Sequence, residues 1–247
     1  FFVKAYDAGE LAPVRAFTER GARLFGAIDN SKKRVVALVD GLSLGGGTEL
    51  LLCADVIVAT DRAAFGFPET GLGIYPGLGG TQRATRRVGR SLARWLIYTG
   101  KIIDGRKAVS IGFADLLVGR MEGAKVASAL ACADPSELPQ ANSPMGSTLG
   151  QMAERLFGDD VHDAWLSGSG PVVEDDALAS SKKAISRKAP IALKVAGELI
   201  ALGSYGEPNT KGLEAELARL EDVFATNDAE EGIRALVGRR RPVFQGR

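Results

Sequence analysis

Histidine and cysteine are nearly missing from this 247-residue chain, which carries one His and two Cys. With His162 alone, a Ser-His-Asp triad or a multi-histidine metal centre lacks its partners. Cys53 and Cys132 are too few for a disulfide framework or a cysteine zinc site, and they suit a reducing compartment. No apolar run reaches about 18 residues, so no transmembrane helix is expected. No charged-then-apolar leader opens the chain either, and the expected location is the cytoplasm. Charge of one sign is also missing. The 31 Lys+Arg against 30 Asp+Glu leave +1, no electrostatic footprint for nucleic acid or an anionic membrane. Acid–base chemistry in such a chain has to lean on carboxylates. What is present in ordinary amounts, 45% hydrophobic and 25% charged residues, is the composition of a folded globular protein. The length suits one large domain or a domain with a helical appendage.

The apolar pattern changes character along the chain. Arg15 to Asp29 places Phe17, Leu24, Phe25 and Ile28 at helical spacing. Val35 to Val39 is a short β-branched run, the pattern of a buried parallel strand. A glycine-rich turn, Asp40 to Gly47, leads into a helix that starts at Thr48. Asp55–Thr60 reads as a second strand and Ala64–Phe67 as a third. A second glycine-rich stretch, Gly71 to Gly80, precedes helices over Thr81–Val88 and Ser91–Thr99. Strand, turn, helix, strand in this rhythm predicts an α/β fold. From about Ala124 the apolar residues, Leu156 through Leu213, Leu217 and Ile233, keep helical spacing with little strand signal. The chain is therefore divided into an α/β core, residues 1–119, and a helical segment, residues 120–247. Asp134–Gly146, with three prolines, reads as a linker, and basic Arg239–Arg247 as a solvated tail.

Candidate chemistry gathers at the glycines. Gly45, Gly46 and Gly47 stand between a strand and a helix, where bare backbone can approach a ligand and free N–H groups can bind developing negative charge. On glycines alone the run also reads as a plain tight turn. A phosphate loop would place lysine after the last glycine, but Thr48 and Glu49 follow Gly47; neither glycine stretch has the G-x-G-x-x-G spacing. Glu49 sits in a helix's first turn beside the apolar run Leu50–Ala54, where a carboxylate is either favoured by the helix N-terminus or used. Glu69 follows Pro68 and opens the second glycine stretch. Two carboxylates beside glycine loops can divide acid and base roles over one small gap. Tyr75 either lines such a site or packs. His162 reads as a surface histidine and Cys53 as a core residue.

The motifs resemble the enoyl-CoA hydratase/isomerase (crotonase) family. The match is densest from Val35 to Val118, through G-G-G-x-E (45–49), A-x-F-G-x-P-E (63–69) and P-G-x-G-G-T-Q-R (76–83). It continues loosely through Lys188-Ala-Pro190 and Phe224 to Gly232. The resemblance implies a crotonase-like spiral of ββα units followed by a helical C-terminal trimerisation segment, in homotrimers or hexamers. It implies an acyl-CoA thioester as substrate, with no metal and no cofactor apart from the coenzyme A of the substrate. Gly46 falls on the position that supplies one oxyanion-hole N–H, with Gly45 beside it. Glu49 and Glu69 fall on both acids of the hydratase branch, and Gly77 on a loop glycine near the reacting carbon. The implied reaction is hydration of a trans-2-enoyl-CoA, with Glu49 as base and Glu69 as acid. In the family the second oxyanion N–H comes from an earlier segment resembling Ala-Gly-Ala-Asp. Here Phe1-Phe-Val3 runs straight into Lys4-Ala-Tyr-Asp7. The expectation is that this loop, together with an N-terminal segment, belongs to the protein but is missing from these residues; a fragment or a loss of the activity are the alternatives, and an origin in a longer protein with a fused hydroxyacyl-CoA dehydrogenase stays open. The alternatives are enoyl-CoA isomerisation, thioester hydrolysis or acyl-CoA binding without turnover.

Overall fold

Apolar residues at helical spacing open the chain. A computed structural model describes residues 1–167, 170–171 and 176–247. The first helix, α1 (Phe2–Ala8), stops at left-handed Gly9. It places the apolar start of the chain in a helix. The second, α2 (Ala12–Asp29), has Pro13 in its first turn, where a missing N–H is harmless, and turns Val14, Thr18 and Phe25 inward.

A strand–strand–helix unit then repeats. Its first copy is β1 (Val36–Val39), β2 (Leu42–Leu44) and α3 (Gly46–Leu51). The second is β3 (Val56–Thr60), β4 (Ala64–Gly66), a 3-10 turn (Glu69–Leu72) and α4 (Gly80–Thr99). After these come β5 (Ile103–Asp104), α5 (Gly105–Ser110) and β6 (Leu116–Val118). The first strand of each unit enters one parallel sheet, ordered β1-β3-β6. The second enters another, ordered β2-β4-β5, parallel between β2 and β4 and antiparallel between β4 and β5. Every residue of central β3 is buried, as its continuous apolar run requires. The two helices expected over 81–88 and 91–99 form one element broken at Gly89, whose φ of 80° leaves the helical region.

The remainder is helical: α6 (Gly123–Cys132), α7 (Thr148–Phe157), α8 (His162–Leu166), α9 (Asp176–Ile185), α10 (Pro190–Leu202), α11 (Thr210–Ala218), α12 (Leu220–Phe224) and α13 (Asn227–Val237). It shares one apolar core with the sheets: Ile57, Phe65, Leu92 and Leu96 pack in the same cluster as Leu156, Val195 and Ile200. A second cluster joins Ala5 and Val14 to Leu220, Phe224 and Ile233. Among the described residues no helix is long and apolar enough to cross a membrane.

Two expectations change. Asp134–Gly146 does not hang free as a linker. Asp134 and Glu137 form a capping box, two 3-10 turns follow, and Asn142 Nδ2 donates to the Val109 carbonyl at 2.8 Å. The Arg239–Arg247 stretch is exposed but tied down. The buried Asp228 carboxylate accepts the Gln245 and Gly246 amides at 2.6 and 2.8 Å, and Glu231 holds Arg240 and the Val243 amide. Backbone N–H groups without a sheet or helix partner found carboxylates instead.

Asp115 ties the parallel sheet to α4. Its Oδ2 accepts the Ile57 amide at 2.7 Å and pairs with Arg87. Asp115→Ala leaves a buried amide unpaired and a partly buried guanidinium without its counter-charge. Chemical denaturation is expected to show a loss of about 2–4 kcal/mol.

Candidate active site

The end of β2 turns sharply at Gly45, with φ +54° and ψ −127°, a conformation that disfavours any side chain. Its amide donates to the Gly66 carbonyl at 3.0 Å, joining the first unit to the second. A Cβ at Gly45 would stand 2.7 Å from Glu69 Oε1, so the turn also makes room for that carboxylate. Gly46 begins α3, and a helix's own bonding leaves its first N–H groups free. Three residues later Glu49 points inward and is 3% exposed.

Glu49 is held by the second glycine stretch. Its Oε1 accepts the Leu78 amide at 2.8 Å and the Gly80 amide at 2.9 Å. Its Oε2 takes no hydrogen bond from the described residues. Burial pushes the carboxyl from 4.5 up to about 7, against the pull of those two amides and of Arg83. Arg83 itself is fixed by Asp29 at 3.0 Å and by the Leu78 carbonyl at 2.8 Å.

Glu69 opens the 3-10 turn after β4 and is 6% exposed. Its Oε2 is buried with no hydrogen-bond partner among the described residues. Burial first, and the charge of Glu49 second, raise its carboxyl well above the usual range; Lys188 acts the other way. An orphaned polar atom of this kind is costly unless a ligand or water meets it.

Both glutamates line one cavity of about 320 Å³. Gly45, Gly46, Tyr75 and Gly77 line it too, so six of the residues singled out in the sequence meet here, while Gly47 does not line it. The rest of the wall is apolar, with Phe2, Phe17, Leu78 and Phe224 among it. Tyr75 both lines the cavity and packs: it is buried, and its hydroxyl donates to the Glu216 carbonyl. Cys53 is a core residue whose thiol donates to the Glu49 carbonyl at 3.5 Å, with burial raising it to about 11. His162 is half-buried beside Tyr98, 3.5 Å from its hydroxyl, and does not line the cavity. Among the described residues no three His, Cys, Asp or Glu side chains gather as metal ligands would.

Glu216 escaped the sequence reading. It is 1% exposed on α11 and accepts the Gly79 and Thr81 amides at 2.6 and 3.0 Å. A signal was available: Glu216 stands three residues after Leu213 and four before Leu220, on the apolar stripe of the helical text.

A carboxyl raised by burial gives stability that is complete below its unfolded value and lost as pH climbs through its folded one. For Glu49 that window runs from 4.5 to about 7. Glu49→Gln has no such loss, and it also relieves Glu69 of a neighbouring charge. Its unfolding free energy relative to wild type is expected to improve by on the order of 3 kcal/mol between about pH 4 and pH 8, measured by urea denaturation.

Comparison with known proteins gives the family and the fold. The enoyl-CoA hydratase/isomerase family model matches residues 2–246. A probable enoyl-CoA hydratase of Bacillus subtilis is 30% identical over 255 residues, covering 100% of this chain and 78% of the relative. The crotonyl-CoA hydratase of Syntrophomonas wolfei is 40% identical over 145 residues, covering 58% of this chain and 50% of that protein. A crystal structure of an enoyl-CoA hydratase from Rhodobacter sphaeroides superposes with TM-score 0.81 at 26% identity, covering 99% of this chain and 73% of that one. A carnitinyl-CoA dehydratase structure from Mycobacterium thermoresistibile, TM-score 0.78 at 24% identity, covers 99% of this chain and 73% of its own and shares the fold. The chain spans only 50% and 57% of the length of two of the curated relatives it matches. With the crotonase fold and the match over nearly its whole length, the chain belongs to the enoyl-CoA hydratase/isomerase family.

Proposed function

We propose that this chain adds water across the 2,3-double bond of a trans-2-enoyl-CoA thioester to give the 3-hydroxyacyl-CoA. The observation that carries the reading is the pair of buried carboxylates on one apolar cavity, beside the free N–H at the head of α3. The apolar wall suits an acyl chain. The Gly46 N–H suits the thioester oxygen, where charge builds as the enolate forms.

The two carboxyls divide the proton work. Glu49, with its pKa near neutrality and Oε2 free, takes a proton from water while the water oxygen bonds to C3. Glu69, raised further by burial and by Glu49, stays protonated and delivers its proton to C2. One hydroxyl and one proton are added, and the proton taken by Glu49 later restores Glu69 through solvent exchange or through the pair. Coenzyme A is part of the substrate in this reading, and the chain brings no metal or cofactor of its own. The helical segment, residues 120–247, carries trimerisation, with trimers pairing as hexamers. The unpaired cysteines, buried Cys53 and exposed Cys132, are compatible with a cytoplasmic setting.

Loss of the enoyl-thioester ultraviolet absorbance of crotonyl-CoA tests the reading on the full-length gene product. Turnover to the 3-hydroxyacyl product is expected, with Glu49→Gln and Glu69→Gln each reducing kcat by about 10²–10⁴-fold. A folded wild-type protein without turnover overturns short-chain hydration. Release of free CoA would assign a hydrolase, and a product that keeps its double bond an isomerase.

A further inference from the structure

Residues 78–82, the turn that opens α4, are gripped from two sides. Glu49 takes the Leu78 and Gly80 amides through Oε1. Glu216 takes those between and beyond. Its Oε2 accepts the Gly79 amide at 2.6 Å, and its Oε1 accepts the Thr81 amide at 3.0 Å, the Gln82 amide at 3.3 Å and the Thr81 hydroxyl. Amides of one short turn are thus divided between two buried carboxylates. Because the donors alternate along consecutive residues, rotating a peptide that serves one carboxylate strains the neighbouring amides that serve the other.

Glu216 comes from a remote part of the chain and is itself fixed. Its main-chain carbonyl accepts the Tyr75 hydroxyl from the cavity wall. Gln82 Nε2 donates to the Thr81 hydroxyl oxygen at 2.8 Å, directing that hydroxyl proton to Glu216. Gln82 Nε2 also donates to the Leu199 carbonyl at 2.7 Å, and Gln82 Oε1 accepts from Asn209 Nδ2 at 2.9 Å. The clamp therefore joins α4, α10 and α11. The first amides of a helix are met by a buried glutamate where a short capping side chain on the turn itself would have served.

We propose that Glu216 is a positioning residue: by holding the Gly79, Thr81 and Gln82 amides it fixes the Leu78 and Gly80 amides on Glu49 and so aims that carboxylate at the cavity. The role of Glu49 rests on the hydratase reading; the clamp does not. Loosening the clamp has a sign of its own. The Leu78 and Gly80 amides favour the charged form of Glu49, so weakening them raises its titration midpoint. The other groups facing Glu49 are Glu69 from the 3-10 turn, Arg83 from α4, the Cys53 thiol on its own helix and the Tyr75 phenol; Lys188 faces Glu69. A Glu216 that acted only as a nearby negative charge would, on removal, lower the midpoint.

The test compares wild type with Glu216→Gln in full-length protein. Kinetics on a turned-over enoyl-CoA are read beside the ¹³C-carboxyl titration of Glu49, assigned through Glu49→Gln, and thermal unfolding. The expected result is a fall in kcat of about ten- to hundredfold with KM changed by less than about threefold, and a raised Glu49 midpoint. An unchanged or lowered midpoint overturns the proposal, whatever happens to Tm, because a purely structural glutamate would cost stability without retuning Glu49. Should Glu216→Gln fail to fold, Thr81→Val removes one donor from the clamp while keeping the carboxylate. It is expected to move kcat and the midpoint in the same directions, with Thr81→Ser restoring both; a wild-type midpoint in Thr81→Val overturns the proposal. If wild type hydrates no enoyl-CoA, the functional reading fails, and the midpoint comparison still decides the clamp.

Discussion

Burying two glutamates against one backbone turn, with a third beside them, is the constraint on which the rest of the site depends. Each of Glu49, Glu69 and Glu216 is nearly inaccessible to water, and burial raises the carboxyl of each. An uncompensated buried carboxylate is strongly disfavoured, so the turn has to offer amide donors at several successive residues. Residues 78–82 do so because they lead into α4, whose first N–H groups have no partner within the helix. The helix N-terminus adds a favourable field for negative charge at the same place. Glu69 is left outside this arrangement. With Oε2 orphaned, it is the carboxyl that most needs a ligand.

Two of the glycines around the site are explained by the same carboxylates. A Cβ at Gly80 would lie 2.7 Å from Glu49 Oε1 and 2.5 Å from the Pro76 ring, so any larger residue would expel the carboxylate or distort the turn. Gly45 performs the corresponding service for Glu69. One glycine in each stretch, Gly45 and Gly80, is thus a vacancy matched to one acid. That pairing accounts for why a pattern so rich in glycine lacks the spacing of a phosphate loop: its free amides face the protein's own carboxylates as much as any ligand.

Much of this was legible because it is local. The β-branched runs at 36–39 and 56–60 could be strands and little else, and glycines beside Glu49 and Glu69 marked turns with carboxylates at their edges. That both acids reach one cavity was not legible from spacing, since it depends on which strands of the two sheets pair. The resemblance to a family supplied that step. Glu216 was hidden for a different reason. Its partners lie more than a hundred residues away in sequence, and in a helical tract it looks like one more charged residue unless its place on the apolar stripe is noticed. The tail at 239–247 misled in the opposite way: its basic composition reads as solvated, while its backbone amides are taken by Asp228 and Glu231.

Two acids in one cavity serve opposite roles only if their proton affinities differ, and the structure supplies the difference through the backbone. Glu49 has two amides and the Arg83 guanidinium favouring its charged form. Glu69 has only Lys188 and its own backbone against burial and the repulsion of Glu49. The ionisation of the first raises the second, so a single negative charge shared by the pair settles on Glu49 and the proton on Glu69. The split is therefore a property of the 78–82 turn. In the proposed hydratase reading, whatever moves those amides moves the acid–base assignment with them, which ties the position of a helix 137 residues further along the chain to the proton inventory of the cavity.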